Sequence, residues 1–307
     1  MRAAALLSRV GALLLTVLAV HAAAFLLARA ARGGPFDQER ETRPELRRAL
    51  EQHYHLDEPL AAQYARSLWN LAHGDFGPSL RYRGVSVGEI LAQSLPLSLA
   101  LGAAALLFAL LCGVPAGLWA ATQRRRAPDT LVLLLTTLLL AVPSFVLAAA
   151  AVLAFSFTLG WLPPAGTGSP AHLILPCLCL GLPVAAQIAR LTRSGALEIL
   201  HSDAVRAARA KGLPRARLLR RHVLRPALVP VVAFLGPAAA GLLTGSLVIE
   251  QVFALPGLGA HFVQAALNRD YTLALGATVT YTLLLGLCTL AADLLLARLD
   301  PRTEALS

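Results

Sequence analysis

The sequence predicts an all-α integral membrane protein with six transmembrane helices and with both termini in the cytoplasm. Hydrophobic residues make up 57% of the 307 residues and charged residues only 14%, whereas soluble domains carry about 25% charged residues. Six apolar segments are long enough to cross a bilayer, for which roughly 20 residues suffice. In approximate bounds they are residues 10–28, 97–121, 131–159, 172–190, 227–249 and 272–296. This composition argues against a soluble enzyme, a disordered chain and a secreted disulfide-rich domain.

The first apolar segment has two possible interpretations. Arg2 and Arg9 precede it, and Ala22–Ala24 provide the small residues that a signal-peptide cleavage site needs. The run is nearly as long as a full span, which favours a retained helix. We therefore assign residues 1–28 to a first transmembrane helix, and cleavage would leave the topology of the remaining chain unchanged.

Prolines interrupt the later spans. Proline lacks the backbone N–H and tends to kink a helix, and the carbonyl groups that it frees in lipid need partners from neighbouring helices or from water. The pattern favours a packed bundle around a cavity, although an ordinary kink explains any single proline equally well. The prolines concerned are Pro115, Pro143, Pro176, Pro183 and Pro237.

Basic residues predict the orientation of the spans. One side of the membrane receives seventeen basic and five acidic residues, ten of the basic ones between Arg190 and Arg225. The other side holds the region 29–94, with nine basic and nine acidic residues, and an uncharged loop at 160–171. Because cytoplasmic loops carry an excess of Lys and Arg, the first side is predicted to be cytoplasmic. The formal charge of +10 then follows from topology, and no nucleic-acid partner is expected.

The orientation divides the chain into regions. Residues 29–94 form an extracytoplasmic region, in which apolar spacing at Leu46 and Leu50, and again at Leu60, Tyr64 and Leu68, predicts one or two short helices. Residues 95–299 form a transmembrane domain with a cytoplasmic loop at 191–225. Residues 300–307 form a cytoplasmic tail.

Residues 201–214, here called the docking segment, predict a short helix between two spans. Ser202 or Asp203 can cap its start by accepting hydrogen bonds from free N–H groups. Residues 204–211 favour a helix. Gly212 suits the left-handed backbone that ends a helix, and Pro214 prevents its continuation.

One face of this helix carries small residues, which would let a partner surface approach closely. A basic helix could instead lie on anionic lipid head groups. Six basic residues between Arg206 and Arg220 surround a stripe of small residues, and this favours protein docking. The stripe consists of Ala204, Ala207, Ala208 and Lys211. Arg206 and Arg209 flank it.

Ala207-Ala208, three further residues and then Gly212 form a pattern that resembles the cytoplasmic signature of binding-protein-dependent ABC importer permeases. Two positions depart from the usual form of this signature. Arg206 stands where the family usually has Glu, and the closing proline comes one residue late, at Pro226 after Leu224-Arg225. With these two departures, the signature resembles the form found in the peptide-transporting branch of the family.

Six ordered motifs along the chain are similar to the B subunits of oligopeptide permeases. A single short motif of this kind would be weak, but together they extend the resemblance from the first span to Pro301. The motifs are residues 54–59 with 63–64, 71–79, 212–214, 244–250, 255–259 and 268–271.

The resemblance implies the fold of a type I ABC importer permease in the bacterial inner membrane. It implies a heterodimer with a second homologous permease, two cytoplasmic ATP-binding subunits, an extracytoplasmic peptide-binding protein and surrounding membrane lipids. The chain itself is expected to bind no cofactor and no metal, with ATP and Mg on the partner ATPases. The docking segment would be the coupling helix that contacts an ATPase, through Asp203, Arg206, Ala207, Ala208, Lys211, Gly212 and Leu213.

Catalysis by this chain is not expected. A P-loop needs Gly-Lys-Ser/Thr, and Lys211, the only lysine, lies between Ala210 and Gly212. A stand-alone secondary transporter or channel, or a membrane scaffold, would also explain six spans. Within the family, dipeptides, cell-wall peptides or a nickel complex remain alternative cargos.

Polar residues inside or beside the spans are candidates for the transport path, which should bind its cargo only weakly. Hydroxyl groups inside helices often bond to their own backbone instead. The candidates for the path are Ser144, Gln187, Thr244 and Ser246. At the outer end, the candidates for a gate or a contact with the binding protein are Glu250, Pro256, Gly257 and Gly259.

Overall fold

The computed structural model describes residues 3–30, 57–82 and 84–299, and these are mainly helical. The predicted helical pattern at Leu60, Tyr64 and Leu68 does form a helix. Leu46, Leu50 and the tail 300–307 lie outside the described residues. In chain order the helices are α1 (Ala3–Ala30), α2 (Leu60–Ala72), α3 (Val87–Thr122), α4 (Ala127–Ala141), α5 (Ser144–Ala151), α6 (Ile174–Leu200), α7 (Asp203–Ala210), α8 (Arg215–Leu218), α9 (Leu224–Ala227), α10 (Val229–Val252), α11 (Leu258–Leu267) and α12 (Tyr271–Leu299).

Five helices are long and apolar enough to cross a membrane, or six spans if one bent pair counts as a span. The bent pair corrects the prediction of a single helix over 131–159. α4 ends at Ala141, and its axis makes an angle of 104° with the helical stretch that begins at Ser144. Val142 is extended (φ −88°, ψ 125°), because a residue that precedes proline disfavours the α conformation. Pro143 thus marks a sharp break rather than a mild kink.

The helices extend beyond the apolar segments that predicted them. α6 continues to Leu200, past the predicted limit at residue 190, and α3 begins at Val87 rather than near residue 97. Hydropathy detects the part of a helix that suits lipid. Charged residues such as Arg193 and Glu198 end the apolar run without ending the helical hydrogen bonds.

Two compact units divide the chain. The first comprises Ser98–Leu255 with the start of α1 and the end of α12. Within it, α3 and α6 pack closely, because a Cβ added to Gly113 would lie 2.6 Å from the carbonyl oxygen of Ala185. Glycine at this position therefore allows the two helix backbones to touch.

The second unit comprises the remainder of α1, the described residues up to Leu97, and Pro256–Leu283. α2 packs on α1 through Tyr64, whose ring centroid lies 5.5 Å from that of His21 and 5.2 Å from that of Phe25. His21 is 1% exposed, and its Nε2 lies 2.9 Å from Oγ of Ser67. These contacts attach α2 to the first span.

Candidate functional site

The docking segment forms the short helix that its sequence predicts. α7 runs from Asp203 to Ala210, and Gly212 follows with φ +75°. Pro214 then occupies the N-cap position of α8. The predicted left-handed end at Gly212 is confirmed, so this position favours glycine for backbone reasons.

The start of α7 differs from the prediction. Ser202 occupies the N-cap position with an extended backbone, but its side chain makes no capping hydrogen bond. The carboxylate of Asp203 lies in the first helical turn, where it accepts a hydrogen bond from the guanidinium of Arg206. The predicted side-chain cap is therefore wrong, and Asp203 and Arg206 form an exposed ion pair instead.

The predicted stripe of small residues is divided between two faces of α7. Ala204, Ala207 and Lys211 are exposed, and their i, i+3, i+7 spacing places them on one side of the helix. Ala208 is only 6% exposed and packs beside Val205, while Leu213 is half-buried against the same cluster. The expectation that Ala208 faces a partner is thus corrected, because this residue fixes α7 to its own chain.

An apolar cluster, here called the inner cluster, holds the docking segment against three other parts of the first unit. α3, α6 and the α8–α9 region each contribute to it. Gly195 of α6 brings that helix close to α9, since an added Cβ would lie 2.8 Å from the carbonyl oxygen of Ala227. The buried members of the cluster are Ala121, Ala196, Val205, Ala208, Leu218, Val223 and Ala227.

A basic hollow of about 480 Å³ adjoins the inner cluster. Arg124, Arg209 and Arg215 line it, together with His201. No acidic side chain lines this hollow among the described residues. A protein surface that fits here should therefore be acidic.

An ion pair at the start of α4 was not identified from the sequence. The guanidinium of Arg193 on α6 donates two hydrogen bonds to the carboxylate of Asp129, over 2.5 and 2.9 Å. Asp129 is 3% exposed and also accepts from the backbone N–H of Arg125 over 3.0 Å. Asp129 lies in the first turn of a helix that opens with proline, a position where the sequence alone favours an acid. The sequence did not reveal its partner, because Arg193 lies 64 residues away.

The candidate path residues have different environments. Ser144 is half-buried directly after the break at Pro143, and Gln187 is half-buried on α6. Ser246 is fully buried, and its hydroxyl donates to the carbonyl oxygen of Leu243 over 2.6 Å. The side chain of Thr244 lies outside the described residues. The hydroxyl of Ser246 thus bonds to the backbone of its own helix, as hydroxyl groups inside helices often do, and this bonding was the expected alternative to a role in the path.

Glu250 is buried inside the first unit rather than exposed at its outer end. Its relative exposure is 0%, and its carboxylate accepts a hydrogen bond of 2.7 Å from Oγ of Ser98 on α3. In this structure Glu250 therefore offers no surface to a docked protein. In the second unit Pro256 is exposed, whereas Gly257 and Gly259 are buried.

Asp270 is a second acid whose role the sequence did not reveal. It is 1% exposed and precedes α12, where Leu273 donates its N–H to the carboxylate over 3.1 Å. The hydroxyl of Ser79 and the N–H of Leu80 donate to the same carboxylate. Two of the motifs that carry the resemblance, residues 71–79 and 268–271, therefore meet at this carboxylate.

Comparisons with known proteins agree with this architecture. Residues 113–305 match the family model described as binding-protein-dependent transport system inner membrane component. The oligopeptide transport system permease protein OppB of Salmonella typhimurium is 45% identical over 280 residues, which cover 91% of this chain and 92% of that protein. The dipeptide transport system permease protein DppB of Bacillus subtilis is 38% identical over 299 residues, 97% of each chain.

A solved structure supports the fold independently. A chain of the MetNI methionine ABC transporter, in an inward-facing conformation, aligns with a TM-score of 0.59 at 20% identity, covering 69% of this chain and 96% of its own. At this identity the likeness concerns the fold alone. With the family match and the curated relatives, it leads to one conclusion: this chain belongs to the family of multi-pass inner-membrane permeases of binding-protein-dependent ABC importers.

Proposed function

We propose that this chain is a permease subunit of an ATP-driven importer that moves oligopeptides across the bacterial inner membrane. The observation that carries the proposal is the 45% identity to an oligopeptide permease over 91% of the chain. The 38% identity to a dipeptide permease makes dipeptides the second candidate cargo.

The proposed complex contains a second homologous permease, two ATP-binding subunits and an extracytoplasmic peptide-binding protein. Exposed Ala204, Ala207 and Lys211 of α7 form the ATPase-docking face, and the basic hollow beside it suits an acidic groove. ATP and Mg are bound by the partner ATPases. Selection of the peptide rests mainly with the separate binding protein.

Membrane lipids contact the same side of the chain. Arg220 and Arg221 are exposed and lie shortly before α10, an apolar candidate span that begins at Val229. Cytoplasmic leaflets carry anionic head groups that attract such residues. These arginines therefore hold the base of α10 at the membrane surface, while α7 contacts the ATPase.

Transport follows from a rigid-body movement of the docking segment. Closure of the ATPases on ATP displaces α7, and the inner cluster transmits this displacement to α3, α6 and α9. The path then opens to the outside and receives peptide. Ser144, Gln187 and Thr244 are the path residues that we retain, since weak polar contacts let cargo leave, and Glu250 is the candidate gate.

Reconstitution tests this proposal. The chain is purified with its sister permease and ATPases, weighed by native mass spectrometry, and placed in liposomes with the peptide-binding protein. We expect two permeases and two ATPases, and ATP-dependent uptake of a labelled pentapeptide that exceeds uptake of a labelled dipeptide. A non-hydrolysable ATP analogue is the control. Dipeptide preference would support the second candidate, and uptake by the purified chain alone would refute the importer assignment.

A further inference from the structure

The Asp129–Arg193 ion pair connects two inner ends of spans within the first unit. Asp129 lies in the first turn of α4, and Arg193 lies on α6. Both guanidinium contacts are within hydrogen-bond distance, at 2.5 and 2.9 Å, and the carboxylate is nearly fully buried. Such a bidentate pair fixes direction as well as distance. The other ion pairs described in this unit are more exposed: Arg9–Asp293 is about 40% exposed at both side chains, and Asp203–Arg206 is more exposed still.

Asp129 also holds the turn that joins α3 to α4. Its carboxylate accepts the N–H of Arg125, whose backbone is left-handed at φ 62°. The N–H of Arg126 donates to the carbonyl oxygen of Gln123 across the same turn. One buried carboxylate therefore ties the turn after α3, the start of α4 and the side of α6 together.

Arg193 lies on the part of α6 that carries the docking segment. Ala196, one turn further along, belongs to the inner cluster together with Val205 and Ala208 of α7. A displacement of α7 must therefore move the end of α6, and Arg193 moves with it. α4, at the other end of the ion pair, leads to the break at Pro143 and to Ser144.

From this arrangement we infer that the Asp129–Arg193 pair is the link that couples movement of the docking segment to the broken third span. The inference rests on the proposed function and deepens it. Both residues are positioning residues, because they act through α4 and α6 and do not contact peptide or nucleotide. Without the link, ATP is hydrolysed while α4 and α5 stay behind, so that fewer peptides enter per ATP.

A double-mutant cycle tests the link in reconstituted complexes. The variants are Asp129→Asn, Arg193→Gln and the double variant, which leaves no buried unpaired charge. The readout is the number of peptides imported per ATP hydrolysed, with binding of the ATPases measured separately. We expect this ratio to fall about five- to tenfold in each single variant, and to fall no further in the double variant, because both changes break one link. The control is Asp293→Asn, in the exposed Arg9–Asp293 pair, which should leave the ratio unchanged.

Three outcomes would overturn the inference. The first is an unchanged ratio in complexes that retain their ATPases. The second is an additive loss in the double variant, which would show that the two residues act independently. The third is failure of both the single and the double variants to assemble, which would assign the pair to folding. Absence of ATP-dependent uptake in the unmodified complex would refute the proposed function instead.

Discussion

Gly212 ends α7 with a backbone φ of +75°, a conformation that costs residues with a Cβ about 1–2 kcal/mol. An added Cβ would meet no atom within 4 Å, so the cost arises from the backbone and not from a clash. We expect Gly212→Val to shift the direction in which the chain leaves α7. Peptide uptake by the reconstituted complex should then fall several-fold.

Gly212→Asn is the matched control, because asparagine tolerates the left-handed region. It should retain most of the uptake, whereas the valine variant should not. Equal uptake by both variants, at equal amounts of inserted protein, would show that the backbone conformation at this position does not matter for docking.

Asp270 makes a prediction about stability in the second unit. Asp270→Ala leaves the hydroxyl of Ser79 and the N–H groups of Leu80 and Leu273 without their acceptor. Unsatisfied buried donors cost about 1–3 kcal/mol each, so we expect the free energy of unfolding to decrease by about 3 kcal/mol. Unfolding in mixed micelles by added dodecyl sulfate measures this difference.

The control for this stability change is Asp75→Ala. Asp75 is exposed and accepts one hydrogen bond of 2.8 Å from the N–H of Gly77. Its loss should change the free energy of unfolding far less than the loss of Asp270. A comparable decrease in both variants would contradict the view that the buried network around Asp270 stabilises this unit.

Residues differ in how far their roles could be predicted from sequence. The backbone of Gly212 was predictable because a helix end is a local feature. Glu250 and Asp270 were not, because their partners Ser98 and Ser79 lie 152 and 191 positions away in the chain. Sequence spacing reveals neighbours along a helix, whereas burial of an acid depends on which distant helix covers it.

Among the elements, α7 has two faces with different surroundings. Ala207 is exposed, and Ala208 is buried in the inner cluster. We expect Ala207→Trp to leave the permease folded while it weakens ATPase binding, because the large ring obstructs the docking face. Co-purification of the ATPases with the tagged permease measures this effect.

Ala208→Trp should fail in a different way. The ring cannot fit beside Val205, and overpacking of a core typically costs about 1–3 kcal/mol, so the amount of folded permease should decrease. Ala216→Trp, at an exposed position outside α7, is the control for both variants. Loss of ATPase binding by Ala208→Trp alone, with normal folding, would reverse the assignment of the two faces.

The elements were predictable where one physical pattern dominates. Long apolar runs located the five continuous candidate spans and the bent pair of helices, because lipid demands such runs. The 104° break between α4 and the helical stretch from Ser144 was visible only as a proline, and proline permits either a kink or a break. The packing of neighbouring helices decides whether a proline causes a kink or a break, and no local sequence pattern reveals that packing.

For the whole molecule, the distribution of charge makes the strongest prediction. Arginines on the docking segment and on α8 lie between α6 and α10, whereas residues 160–171 carry no charge. The positive-inside tendency therefore predicts that α7 and α8 lie in the cytoplasm and that the loop 160–171 lies outside. Docking of α7 on cytoplasmic ATPases requires this same orientation, so an error in the orientation would remove the proposed mechanism.

Cysteine labelling in intact cells tests the orientation. Thr167→Cys and Ala216→Cys place single thiols at exposed positions in a background without Cys112, Cys177, Cys179 and Cys288. A membrane-impermeant maleimide that reaches the outer face should label residue 167 in intact cells, and residue 216 only after the membrane is opened. The reverse pattern would place α7 outside, where no ATP is available to a coupled ATPase, and would contradict the importer mechanism. Labelling of both thiols in intact cells would indicate leaky membranes, which a cytoplasmic marker protein detects in the same sample.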